Sequence, residues 1–98
     1  MSRNVVEGRQ PQGANEVIRY RFAADPAAVS VVAVTAIDET TGQPATGLFS
    51  GEPTVQGGDI ILPPLANVLP GHTYRVSVRY TDASGNVLEP YFYVEGER

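Results

Sequence analysis

Tyr74, Val76, Val78 and Tyr80 alternate with Arg75, Ser77, Arg79 and Thr81 directly after a Pro70-Gly71 turn. A period of two puts the first set on one face and the second on the other, so this stretch is a strand with one buried and one solvated side. Few other patterns are open to it, and the rest of the chain must supply sheets for it to join.

The same alternation starts at 17–22, where Ile18, Tyr20 and Phe22 point inward and Arg19 and Arg21 outward. Residues 29–37 are apolar on both faces, which predicts a central strand. A polar turn fills 38–44, and short, weak strands are expected at 46–49 and 53–55. Gln56-Gly57-Gly58-Asp59 turns tightly into a strand at 60–62, which Pro63-Pro64 ends by removing its donors. The last hairpin pairs 73–81 with 87–94 around 82–86, and Pro90 predicts that its second strand is an edge or is bulged. No helix of useful length is present. About seven short strands at this spacing predict an all-β fold, a single β-sandwich. Tyr74 stands where such sandwiches carry a tyrosine corner, its hydroxyl bonding back to the preceding loop.

Residues 1–15 differ from the rest: turn-forming or polar throughout, with Val5 and Val6 as the apolar anchor. The chain therefore divides into an extended N-terminal arm, 1–15, and a domain, 16–98. An arm of this composition either stays unordered alone or lies on a neighbour.

Ninety-eight residues make one core, and a chain of this size buries roughly 60–65% of its unfolded surface, enough for a sandwich without staples. There is no cysteine, hence no disulfide framework and no thiolate metal site. All seven basic residues are arginine, and the net charge of −4 disfavours binding to nucleic acid through phosphate neutralisation. Arg19, Arg21, Arg75 and Arg79 offer a local basic stripe, although solvated strand surface is the simpler reading. No apolar run approaches the ~18 residues of a membrane span. Met1 is followed by Ser2-Arg3-Asn4-Val5-Val6-Glu7, without the apolar stretch of a signal peptide. The expectation is a small protein made in the cytoplasm.

Catalytic chemistry finds no foothold. His72 is the only histidine and, between Gly71 and Thr73, reads as an exposed loop residue, so neither a Ser-His-Asp triad nor a His pair on a metal can be built. The eleven carboxylates are dispersed, with Asp38 and Glu39 adjacent. Asp82-Ala83-Ser84-Gly85-Asn86 looks like the start of a calcium loop but lacks the distal bidentate glutamate, and Asp, Asn and Gly are what a hairpin turn needs. No catalytic, metal or cofactor-binding residue is nominated, and an enzyme is not expected. Tyr91-Phe92-Tyr93 is more informative. Tyr91 and Tyr93 share one face of a strand, Phe92 and Val94 the other; at least one set is core, and on an edge strand the second set would form an aromatic patch suited to protein or sugar contact.

Leu69-Pro70-Gly71 with Tyr74, Val76 and Val78 resembles the L-x-P-G-x-x-Y-x-V-x-V lead-in to strand F of fibronectin type III and related immunoglobulin-like domains, with Leu and Pro adjacent here. A second resemblance spans roughly 16–94. The aromatic-alternating strand at 17–22, the Gly71–Val78 strand and the last strand at 88–94 look similar to small proteins encoded among the head and head-tail genes of tailed bacteriophages. That resemblance implies a non-enzymatic virion protein, assembled in the host cytoplasm, that docks as a decoration or accessory subunit on major capsid or head-tail proteins, with homo-oligomers possible and no cofactor, nucleic acid or membrane contact. Under it, Val5 and Val6 anchor in an apolar groove, Arg3 and Arg9 pair with capsid carboxylates, and Tyr91 and Tyr93 add a contact face. The alternative is a carbohydrate- or cell-surface-binding module using Tyr91, Tyr93 and the loop 82–86; the absence of tryptophan and of an export signal counts against it.

Overall fold

A computed structural model of the chain describes residues 2–5 and 9–97, with side chains from residue 10 onward. Ten strands lie among the described residues: β1 (Ser2–Val5), β2 (Arg9–Gln12), β3 (Arg19–Phe22), β4 (Ala28–Asp38), β5 (Gln43–Pro44), β6 (Thr54–Gln56), β7 (Asp59–Ile61), β8 (Thr73–Asp82), β9 (Val87–Leu88) and β10 (Tyr91–Gly96). One sheet runs β1-β3-β7-β6; the other runs β2-β10-β8-β4-β5, with β9 also paired to β8. Lettered in chain order, these are the A-B-E-D and A′-G-F-C-C′ sheets of an immunoglobulin-like β-sandwich.

The core lies where the alternation puts it. Ile18, bridged to Leu65 just before β3, and Tyr20 and Phe22 of β3 are buried with Val76, Val78 and Tyr80 of β8 and Phe92 and Val94 of β10. Phe92 packs across the sandwich against two rings of β3, 5.6 Å from Tyr20 and 6.3 Å from Phe22 between centroids. Such pairs add about 0.5–1.5 kcal/mol each beyond the area they bury. The tyrosine corner is present: the Leu69 N–H donates to the Tyr74 hydroxyl at 2.9 Å.

The first fifteen residues contribute strands of their own. β1 runs parallel to β3, with Arg3 opposite Tyr20 and Val5 opposite Phe22. β2 runs parallel to β10, with Arg9 opposite Tyr93 and Gln12 opposite Gly96. Val6, and the side chains of Arg3, Val5 and Arg9, lie outside the described residues. Gln12 is fully buried. Its Nε2 donates to the Leu65 carbonyl at 2.8 Å and to the Glu16 carbonyl at 3.0 Å, while its Oε1 accepts from the Tyr20 hydroxyl at 2.7 Å. A polar residue is tolerated there because its amide is used on both sides.

Three expectations are corrected. The stretch 29–37 is not a central strand: β4 is flanked by β8 on one side and only by the two-residue β5 on the other. Val29 and Val32 are consequently 61% and 54% exposed. The strand expected at 46–49 is absent; Gln43–Pro44, read as turn, pairs with the end of β4 instead, and Phe49 makes a single bridge to Leu65. The last strand is not an edge, since β10 lies between β8 and β2. Pro90 falls instead in the break between β9 and β10, where its carbonyl still accepts from Val78 N at 2.9 Å. Nor do the arginines form one stripe: Arg19 and Arg21 belong to one sheet, Arg75 and Arg79 to the other.

Candidate docking face

The outward face of the larger sheet is built by strand register. Tyr93 of β10 stands opposite Arg75 of β8, which stands opposite Ile37 of β4; in the next row Tyr91, Ser77 and Thr35 align. Phe92 and Val94 take the core positions, so both tyrosines are directed outward, Tyr91 45% exposed and Tyr93 half-buried. Their rings meet edge to face, centroids 5.7 Å apart at 80°. The Arg75 guanidinium lies 5.8 Å from the Tyr91 ring centroid, within cation–π range. Its Nε is 3.6 Å from Glu39 Oε1. Farther along, Arg79 Nε bonds Glu89 Oε2 at 2.6 Å. Tyrosine and arginine are among the side chains that dominate binding energy at protein interfaces. Rings crossed at 80° present no single flat surface across the pair.

On the opposite sheet Arg21 is spent internally, its Nε bonding Asp59 at 2.9 Å and its Nη2 the Gln56 carbonyl at 3.3 Å. Arginines engaged with carboxylates on two separate faces make a poor track for a phosphate backbone.

His72 is not a free loop residue. Its Nδ1 lies 2.7 Å from Oδ2 of Asp38, and as the carboxylate is the acceptor, Nδ1 carries the hydrogen. Asp38, buried at the end of β4, also accepts from Thr40 N at 2.9 Å and Thr41 N at 3.3 Å through Oδ1. Burial raises the Asp38 pKa, but His72 and the two backbone donors together outweigh it and hold the carboxyl below its ordinary value of 3.8. Asp82 is lowered too, first by the Asn86 backbone N–H against an opposing burial effect, then by the Asn86 side chain and the Ser84 and Gly85 N–H groups. Asp82 thus closes the β8–β9 turn, Ser84 N and Asn86 N both 2.9 Å from its Oδ1. The two carboxylates tie strand ends to loops.

Because both carboxyls titrate lower in the folded chain than in the unfolded one, their stabilisation is complete above about pH 4–5 and is lost as pH falls through the folded values. Thermal melts in acid should therefore show a falling midpoint below the ordinary carboxylate range. Asp38→Asn should flatten that fall while lowering the midpoint at neutral pH; an unchanged acid limb would contradict the Asp38–His72 tie.

A cavity of about 400 Å³ opens beside this tie, between the β4–β5 turn and the 65–69 crossing, with Leu48, Leu69, Asn67 and Tyr74 among its walls. Three of its polar groups are engaged: Asp38 by His72, the Tyr74 hydroxyl by Leu69 N, and Asn67 Nδ2 by the Gly47 carbonyl at 3.3 Å. Asn67 turns the chain there with φ of 63°, a left-handed conformation asparagine tolerates. Among the described residues no group of three or more His, Asp or Glu side chains is placed to hold a metal ion.

Fold and face together define an immunoglobulin-like sandwich with a tyrosine–arginine surface. The chain matches no family model and no curated protein.

Proposed function

We propose that this chain is a non-catalytic docking subunit of a phage-like particle, bound to capsid or head-tail proteins through the Tyr91–Tyr93–Arg75 face. The observation that carries the docking role is the aromatic pair directed outward beside an arginine on the larger sheet. The virion setting rests on the sequence resemblance alone. The sandwich acts as a preformed wedge, so little ordering cost falls on binding. Arg3, Val5, Val6 and Arg9 are the further contacts in this reading; the backbones of Arg3 and Val5 belong to β1 and that of Arg9 to β2.

The test is co-sedimentation of the purified chain with shells assembled from the capsid and head-tail proteins encoded alongside it. Wild type should pellet saturably with the shells. Tyr91→Ala should weaken binding by about 30-fold, the ~2 kcal/mol of an interface hot spot, with a cooperative melt retained, since Tyr91 is 45% exposed and lies outside the core. A folded chain that stays in the supernatant with every shell overturns the virion assignment. Saturable binding indifferent to Tyr91→Ala overturns the face.

A further inference from the structure

Asp38 and Tyr74 are cross-strand partners at the adjoining ends of β4 and β8. Both are buried, and both wall the cavity of about 400 Å³ beside the 65–69 crossing. Leu48, Leu69, Pro44 and Ala45 give that cavity apolar sides. Leu69 lines it while remaining 52% exposed, so the cavity opens to solvent there. Small-molecule sites occupy about 300–1,000 Å³ and are mostly apolar, with a few placed polar groups. This cavity has both properties.

Charge decides what fits. Among the described residues, Asp38 is the only charged side chain in these walls, and its carboxyl, held below the ordinary value, is ionised at neutral pH. Arg75, one residue along β8, is turned to the outer face beside Glu39 and Tyr91. His72 reaches Asp38 Oδ2 through Nδ1, and Thr40 N and Thr41 N reach Oδ1. Those three hydrogen bonds use most of the roughly four acceptor sites of a carboxylate. The negative charge is thus fixed in position, with little capacity left for further N–H donors. A ligand here is recognised by charge and by its apolar body. Tyr74 adds an aromatic wall, and aromatic rings attract cations, quaternary ammonium groups among them. An anion would meet the carboxylate with no arginine in the walls to offset it.

We infer that this cavity binds a small organic cation, an alkylated ammonium group on an apolar body, with the cationic end toward Asp38 and Tyr74 and the apolar body against Leu48 and Leu69. The site is separate from the Tyr91–Tyr93 face, so the inference stands whatever that face binds.

Titration of the full chain with benzyltrimethylammonium, whose charge is independent of pH, tests this through amide chemical shifts. The buffer is set at about pH 8, above the ordinary titration of imidazole. Shifts should saturate at millimolar concentration or below and should cluster within 38–48 and 65–74. Phenylacetate, an aromatic ring with the opposite charge, should bind about tenfold more weakly or worse. Asp38→Asn removes the charge and should weaken the cation by about tenfold. Leu69→Arg, at an exposed position, brings a positive charge to the opening and should weaken it by a similar factor. Should Asp38→Asn fail to fold, Leu69→Arg decides. An absence of saturation by about 20 mM cation overturns the inference. So does phenylacetate binding as tightly, an affinity indifferent to Leu69→Arg, or a saturable site that maps to 91–93 instead.

Discussion

Replacing Gln12 with alanine should destabilise the domain by about 2–3 kcal/mol, although the residue lies in a segment whose composition predicts an arm. Its amide bonds the Tyr20 hydroxyl at 2.7 Å, the Leu65 carbonyl at 2.8 Å and the Glu16 carbonyl at 3.0 Å, with no exposed surface. Truncation both empties that volume and strips buried polar groups of a partner, which costs more than the bonds contribute when made. Gln12→Met separates the two effects, keeping most of the volume and losing the bonds, and should recover part of the loss. Urea unfolding followed by tyrosine fluorescence measures both. A midpoint unmoved by Gln12→Ala would mean that β2 does not hold the domain together.

Gly96→Ala should be at least as damaging, at about 2–4 kcal/mol. A Cβ on Gly96 would overlap the carbonyl oxygen of Leu69 and crowd that of His72. Both are main-chain atoms in a loop already fixed by hydrogen bonds: Gly96 N donates to His72 O at 2.8 Å and Gly71 N to Gly96 O at 2.9 Å. The methyl fits only if the end of β10 leaves the loop, giving up these bonds and disturbing the tyrosine corner nearby. Gly47→Ala is the matched control, since nothing lies within 4 Å of its Cβ position. Denaturant melts of the two variants should differ by most of the Gly96 effect; equal stabilities would contradict the close approach.

The core was legible because alternation is a local property. Ile18, Tyr20 and Phe22, then Tyr74, Val76, Val78 and Tyr80, are placed by period alone, and the structure buries all of them. The Pro-Gly turn located Tyr74 well enough to anticipate its hydroxyl bond. What failed was everything that depends on neighbours. Whether β4 is central or outermost is decided by β5, a strand too short to leave a pattern in sequence. His72 looked free because Asp38, its partner, is far along the chain. Gln12 carries no periodic signal at all, since its burial comes from pairing with the opposite end of the sequence. For the contact face, the tyrosines were found from their spacing, but their crossed rings and the arginine beside Tyr91 are set by cross-strand register.

The parallel pairing of β2 with β10 has a mechanical meaning. The chain enters β2 at Arg9 and leaves β10 beyond Gly96, at opposite ends of the same ladder, whose pairs run from Arg9–Tyr93 to Gln12–Gly96. A tension drawn between those two points slides the strands along each other, loading their hydrogen bonds together instead of peeling them one after another. The Glu97 N–H bond to Gln12 O adds a last rung beyond the strand end. Pulled between Arg9 and Gly96, the domain resists through the whole ladder at once.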